Sequence, residues 1–255
     1  MLNSYLMQAT ERGPNDQKQI DAEEITEFAA NHRGAAVLGL DLSPIQDVFV
    51  PANLRFEIVD FCDPWSYSES TFDLIFLRGL DGTVVDWTRL YTEVYQALKP
   101  GAYIEHSEMC IELKSDDGPI NPEHILGRWS ETLFEASDAF GKPLGVAEHI
   151  KEQLEIVGFV DVVEQRFEWP IGEWREEKKL REIGKLNKTH WEQSIEGWCI
   201  ALLTRALKFG ADDRRRDEMK TMLTDLSMIV YGRRPESEPE FESEGSSDET
   251  EGLWF

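Results

Sequence analysis

The 255 residues are enough for one sizeable α/β domain, or for such a domain with a helical lid. A 41% hydrophobic share with eight Trp allows a substantial core, and a net charge of −24 argues against nucleic acid or an anionic membrane surface as a partner, since both need a basic face. Glu236 to Glu251 holds eight acidic residues and no Lys or Arg, yet the rest of the chain still carries −16.

Cys62, Cys110 and Cys199 are far apart, with no metal-ligand spacing, so they read as buried free thiols in a reducing compartment. No metal is expected. The first residues have no basic run followed by an apolar one, so they do not read as a secretory signal. No stretch approaches the ~20 apolar residues that a membrane span needs. The expected location is the cytoplasm, with the nucleus as an option.

In chain order, residues 1–22 read as a loose polar arm containing Gly13-Pro14. Glu23 to Asn31 is a short helix with Ile25, Phe28 and Ala29 on one face, ended by Gly34. Ala36 to Leu40 is an apolar strand closed by Asp41. Leu54 to Val59 is a second, closed by Asp60. Phe72 to Leu77 is near-continuously apolar, as in a parallel strand buried on both faces. Thr88 to Leu98 has helical spacing and is stopped by Lys99-Pro100-Gly101. Ala102 to Leu113 is a further strand.

Helices follow at Pro122 to Phe140, with Leu126, Trp129, Leu133, Ala136 and Phe140 on one stripe, and at Val146 to Val157, capped by Gly158. Phe159 to Phe167 reads as a strand, Ser194 to Phe209 as a helix and Ser227 to Gly232 as a last strand. The domain then spans 23–235, with lid helices at about 120–142 and 176–210, and 236–255 is a disordered acidic tail. The alternation of strands and helices predicts an α/β fold on a parallel sheet.

In such sheets ligands bind at the carboxyl ends of the strands. Asp41, in G-L-D-L-S with Leu42, can accept hydrogen bonds from the two ribose hydroxyls of a nucleoside, or can cap a turn. Asp60 can accept from an adenine amino group, with Phe61 against the base, or can cap a loop. Arg78 ends a central strand, facing a site or solvent. His106, Glu108 and Asp86 are candidates to orient or deprotonate a substrate, and a strand-end histidine can also serve structure alone.

The stretches VLGLDLSPIQ, FEIVDFCDPW, FDLIFLRGLDGTVVDW and LKPGAYIEHSE, in this order, resemble the fungal LaeA-like methyltransferases, within the class I methyltransferases. Later blocks, including GFVDVVEQRFEWPIG and IVYGRRP, extend the resemblance from about Glu24 to Pro235. It implies a Rossmann-like, seven-stranded sheet with the last strand antiparallel, and S-adenosylmethionine as methyl donor. It places Asp41 and Leu42 at the ribose, Asp60, Phe61 and Cys62 on the adenine side, and Arg78 and Gly79 on the loop facing donor and substrate. Members are tied to secondary metabolism as tailoring enzymes or regulators.

One family feature is absent. The pattern places a first strand and a D-x-G-x-G-x-G turn before the helix that precedes VLGLDLS, in the Asp16 to Glu24 region, yet those residues read DQKQIDAEE. The sequence contains no G-x-G, nor the G-x-G-x-x-G of dinucleotide oxidoreductases or the G-x-S-x-G of hydrolases. No apolar β-branched run precedes Ala36. A segment upstream could supply the strand, the N-terminal arm could fill its slot, or a partner could patch the sheet. Two functions follow. One is methyl transfer from S-adenosylmethionine to a small natural-product intermediate. The other is a non-methylating scaffold or regulator, which leaves room for a protein partner.

Overall fold

The computed structural model describes residues 3–8, 15–41, 49–115 and 118–191, of which 3–8, 15–22 and 125–126 are described by backbone alone. A parallel five-stranded sheet runs β3-β2-β1-β4-β5, from strands β1 (Asn3–Gln8), β2 (Ala35–Asp41), β3 (Leu54–Ile58), β4 (Phe72–Arg78) and β5 (Leu98–Ser107). Helices α1 (Asn15–Asn31), α2 (Trp87–Ala97), α3 (Ile125–Phe140) and α4 (Ile150–Val157) follow the chain, with a 3-10 turn at Val146–Glu148 before α4. A further helix, α5, covers 178–191.

The largest correction is at the start of the chain. The arm is no loose arm: Asn3–Gln8 is the central strand, paired with β2 from Asn3↔Ala35 to Gln8↔Leu40 and with β4 from Tyr5↔Leu74 to Gln8↔Leu77. Backbone pairing needs no particular side chain, so NSYLMQ can complete two ladders that would otherwise leave buried groups unpaired, at ~1–3 kcal/mol each. Helix α1 begins at Asn15, so DQKQIDAEE is helical, and the connection where a phosphate- or nucleoside-binding turn belongs is 9–14.

Alternation along β2 explains the two cores. Ala35 and Val37 join Leu54, Ile25 and Ala29 beneath α1, while Leu38 and Leu40 join Ile75, Leu77, Leu90, Tyr91, Val94 and Leu154 beneath α2 and α4. The sheet is thus covered on both faces, as a parallel sheet requires. Asp86 caps α2, its carboxylate accepting from the Arg89 N–H at 2.9 Å. At the end of α4, Gly158 has φ 114°, the left-handed conformation that closes a helix.

The other differences have local causes. Lys99-Pro100-Gly101 does stop α2, but it lies inside β5, where the pairing slips between Phe72 and Leu74. Proline cannot donate to a ladder, which suits it to a bulge, here in the outermost strand of the sheet among the described residues. Beyond Ser107 the chain turns inward at Glu108 rather than continuing as a strand to Leu113. Phe159 to Phe167 forms no strand, and Val160, Val163 and Phe167 are exposed. Phe140 is exposed at the end of its stripe, while Trp129, Leu133 and Ala136 are buried. Cys110 is exposed and Cys62 half-buried, against the expectation of buried thiols. The expected helix Ser194 to Phe209, strand Ser227 to Gly232, the tail, Leu42 and Cys199 lie outside the described residues. No helix among the described residues is long and apolar enough to cross a membrane.

Candidate active site at the carboxyl ends of the strands

In the order β3-β2-β1-β4-β5 the connections reverse direction between β1 and β4, and the crevice outside those strand ends is where open α/β sheets bind ligands. Arg78 ends β4 there, and its guanidinium pairs with the Glu24 carboxylate of α1. Gly79, at φ 61°, turns the chain out of the strand and donates its N–H to the Ser107 carbonyl at 3.2 Å.

On the other side, Asp41 ends β2, 3% exposed, and its carbonyl accepts from the Val59 N–H at 3.1 Å. Asp41 is in register with Ile58, so the Asp60 loop stands beside it. The exposed Asp60 carboxylate accepts from the Cys62 N–H at 2.9 Å, the loop-capping alternative. The Phe61 ring belongs to the core, 4% exposed, rather than offering a face to a base. The Cys62 thiol donates to the Thr83 carbonyl at 3.5 Å and ties this loop to the one after β4. Burial pushes that thiol's pKa up, which keeps it protonated and a poor nucleophile.

His106 and Glu108 do come together, but inside the protein, with side chains 0% and 2% exposed. Glu108 Oε1 accepts from the Leu80 N–H, from the Asp81 N–H at 3.1 Å and from His106 Nε2 at 3.1 Å. With the imidazole proton on Nε2, Nδ1 accepts from the Tyr91 hydroxyl at 2.8 Å, and one tautomer satisfies the chain of bonds. Burial, then the Glu108 and Asp81 charges, push the Tyr91 pKa up, so the hydroxyl keeps its proton. This network fixes the Leu80-Asp81 loop and stands behind the site. The helix cap Asp86 is not part of it.

The sequence reading missed Asp81. It is fully buried, and its carboxylate accepts from the Gly145 N–H at 2.9 Å and the Val146 N–H at 3.2 Å, so it pins the loop before α4 to the loop after β4. Its place in R-G-L-D-G, three residues past a central strand, was the available signal. The pinned loop walls a cavity of about 360 Å³ whose lining includes Trp87, Phe134, Leu144, Val146 and Gln153. At its rim, Glu148 meets Lys114 at 3.0 Å, Arg166 at 2.8 Å and the Cys110 thiol at 3.4 Å. Those donors, Lys114 first, hold the Glu148 carboxyl down at about 2. Cys110, Glu112 and Glu148 converge closely enough to resemble metal ligands, but Lys114 and Arg166 already supply the positive charge.

No family model matches the chain. Among curated proteins it is 34% identical over 181 residues to the secondary metabolism regulator LAE1 of Cochliobolus heterostrophus, covering 70% of this chain and 59% of that protein. It is 30% identical over 200 residues to the methyltransferase pytC of Aspergillus terreus, covering 76% of this chain and 61% of that protein. It is also 30% identical over 186 residues to the protein-methionine methyltransferase laeA of Emericella nidulans, covering 72% of this chain and 49% of that protein. The chain thus spans 49–61% of the length of these relatives.

Proposed function

We propose that this chain, a homologue of the fungal LaeA-like methyltransferases with their Rossmann-like fold, transfers a methyl group from S-adenosylmethionine to a small natural-product intermediate in fungal secondary metabolism. One observation carries the reading: a buried carboxylate, Asp41, ends β2 beside the crevice between β1 and β4. A carboxylate accepts from both hydroxyls of a vicinal diol, the group a ribose presents.

The residues fit the nucleoside half of that donor. Asp41 would take the ribose and the Asp60 loop would flank the base, while Arg78 and Gly79 would border the remainder. The donor supplies an electrophilic methyl group on a sulfonium. The chain's part is to hold and orient an acceptor in line with it, which can supply most of the rate without a strong catalytic group. His106 and Glu108 serve by fixing the Leu80-Asp81 loop.

A second reading has its own observation. The β1–α1 connection 9–14 reads ATERGP, with Gly13 as its one glycine, where a close backbone approach to the donor needs several. This favours a non-methylating scaffold or regulator with a protein partner.

Isothermal titration of the full chain with S-adenosylmethionine and S-adenosylhomocysteine separates the two. Micromolar binding that Asp41→Asn weakens about tenfold or more supports methyl transfer. A folded, monodisperse chain that binds neither compound leaves the scaffold reading.

A further inference from the structure

Helix α5 reverses the charge of the protein around it. Over 178–191 it carries five Lys or Arg against one Glu, a net +4, in a chain of −24 whose other described helices range from 0 to −4. Gly184, Asn187 and Trp191 form its buried side. Trp191 packs on Trp129 with 6.3 Å between ring centroids, and Asn187 Nδ2 donates to the Pro170 carbonyl at 3.1 Å. That packing fixes which way the other side looks, and Lys178, Lys179, Arg181 and Lys185 are exposed there. Acidic neighbours are concentrated at the start of the helix: Glu176 and Glu177 precede it, and Glu182 meets Lys178 at 3.9 Å. Lys179 and Lys185 pair with no carboxylate among the described residues. Like charges gathered on one helix face repel one another, and a counter-charge relieves that.

A dense counter-charge lies in the same chain. Glu236 to Glu251 has eight acidic residues and no Lys or Arg, with a Glu at every second position from Glu236 to Glu244. In an extended run alternate residues share a side, so those five carboxylates would line up over ~27 Å, against ~21 Å for the length of α5. The 44 residues between Trp191 and Glu236 tether the two, which gives this segment an effective concentration that a separate acidic partner would have to match. We propose that the outward face of α5 is a docking surface for an acidic peptide segment, and that its occupant is this chain's own Glu236 to Glu251. The contact is carried by exposed charge, so salt weakens it. It does not depend on whether the chain binds S-adenosylmethionine.

The test is zero-length crosslinking of the full chain at low salt, as an equal mixture of isotope-labelled and unlabelled protein. A water-soluble carbodiimide joins a carboxylate to a lysine amine in contact with it, as an amide with loss of water. Mass spectrometry of the digest then reads which lysines the segment reached, and whether both ends of each link come from one copy. The expected result is that Lys179 and Lys185 are each joined to the segment at least about threefold more than Lys151, which is exposed on α4, and that about 1 M salt removes most of this preference. Links should join residues of one isotope. Replacing Glu238, Glu240, Glu242 and Glu244 by Gln should cut the links that Glu249 and Glu251 make to α5 by at least about threefold, since the neighbouring carboxylates that hold the segment there are gone. No links to α5, equal linking of Lys151, links indifferent to salt or to the four substitutions, or links mainly between isotopes, which would make a second copy the occupant, each overturn the proposal.

Discussion

Two polar assemblies grip the same short segment, Leu144 to Glu148, from opposite sides. Inside, the Asp81 carboxylate holds two backbone N–H groups, and Glu108 holds two more on the adjoining loop. Outside, Glu148 holds Lys114 and Arg166. Both are built on carboxylates that accept from surrounding donors. They differ in burial: the Glu108 side chain is 2% exposed, against 32%, 61% and 58% for Glu148, Lys114 and Arg166. Water can replace every bond of the outer set and none of the inner set. Hydrogen-bond geometry alone therefore says little about which assembly holds the loop.

The sharpest way to break the comparison is Glu108→Ala, which strips the acceptor from the Leu80 and Asp81 N–H groups and from His106 in a dry site. A loss of about 3–5 kcal/mol in denaturant unfolding is expected. Glu108→Gln keeps the shape and one acceptor oxygen, so it should cost less. A loss under about 1 kcal/mol for Glu108→Ala would mean that the inner assembly is no stronger than the outer one.

Asp81→Asn should rank second, at about 1–3 kcal/mol, because one of its two acceptor oxygens becomes a donor facing a backbone N–H. Normal stability in this variant would separate the wall from the inner network.

Much of this architecture was legible in the sequence, and for physical reasons. Strands β2 and β4 are buried on both faces, so burial wrote near-continuous apolar runs into AVLGL and FDLIFL. The carboxylates that end β2 and β3 were visible because charge interrupts such runs. Strand β1 was not legible. Its place in the sheet rests on backbone pairing to two neighbours, and NSYLMQ offers three apolar residues and no β-branched one. The roles of His106 and Glu108 were half legible. Sequence put them at a strand end, but only the fold shows that the chain turns there and buries them against Tyr91 and the Leu80-Asp81 loop. Phe159 to Phe167 misled because alternation marks a strand only where a neighbour pairs with it, and none does among the described residues.

The smallest effect expected is at Glu148, and pH gives its sign. The folded protein holds this carboxyl at about 2 against an ordinary 4.5, because the Lys114, Arg166 and Cys110 donors favour the charged form. A group depressed on folding stabilises above its unfolded value and loses that contribution as pH falls through its folded one. Glu148→Gln should therefore lower the thermal midpoint near neutral pH, and the gap to wild type should close between about pH 4.5 and 2. Exposure keeps the gap small, within about 3 °C, and 1 M salt should remove most of it by screening. Thermal scans of both proteins across that pH range, at low and high salt, check this directly. A gap that is large, or indifferent to salt, would show that the outer assembly holds the cavity wall after all, and that Asp81 is not the principal anchor of Leu144 to Glu148.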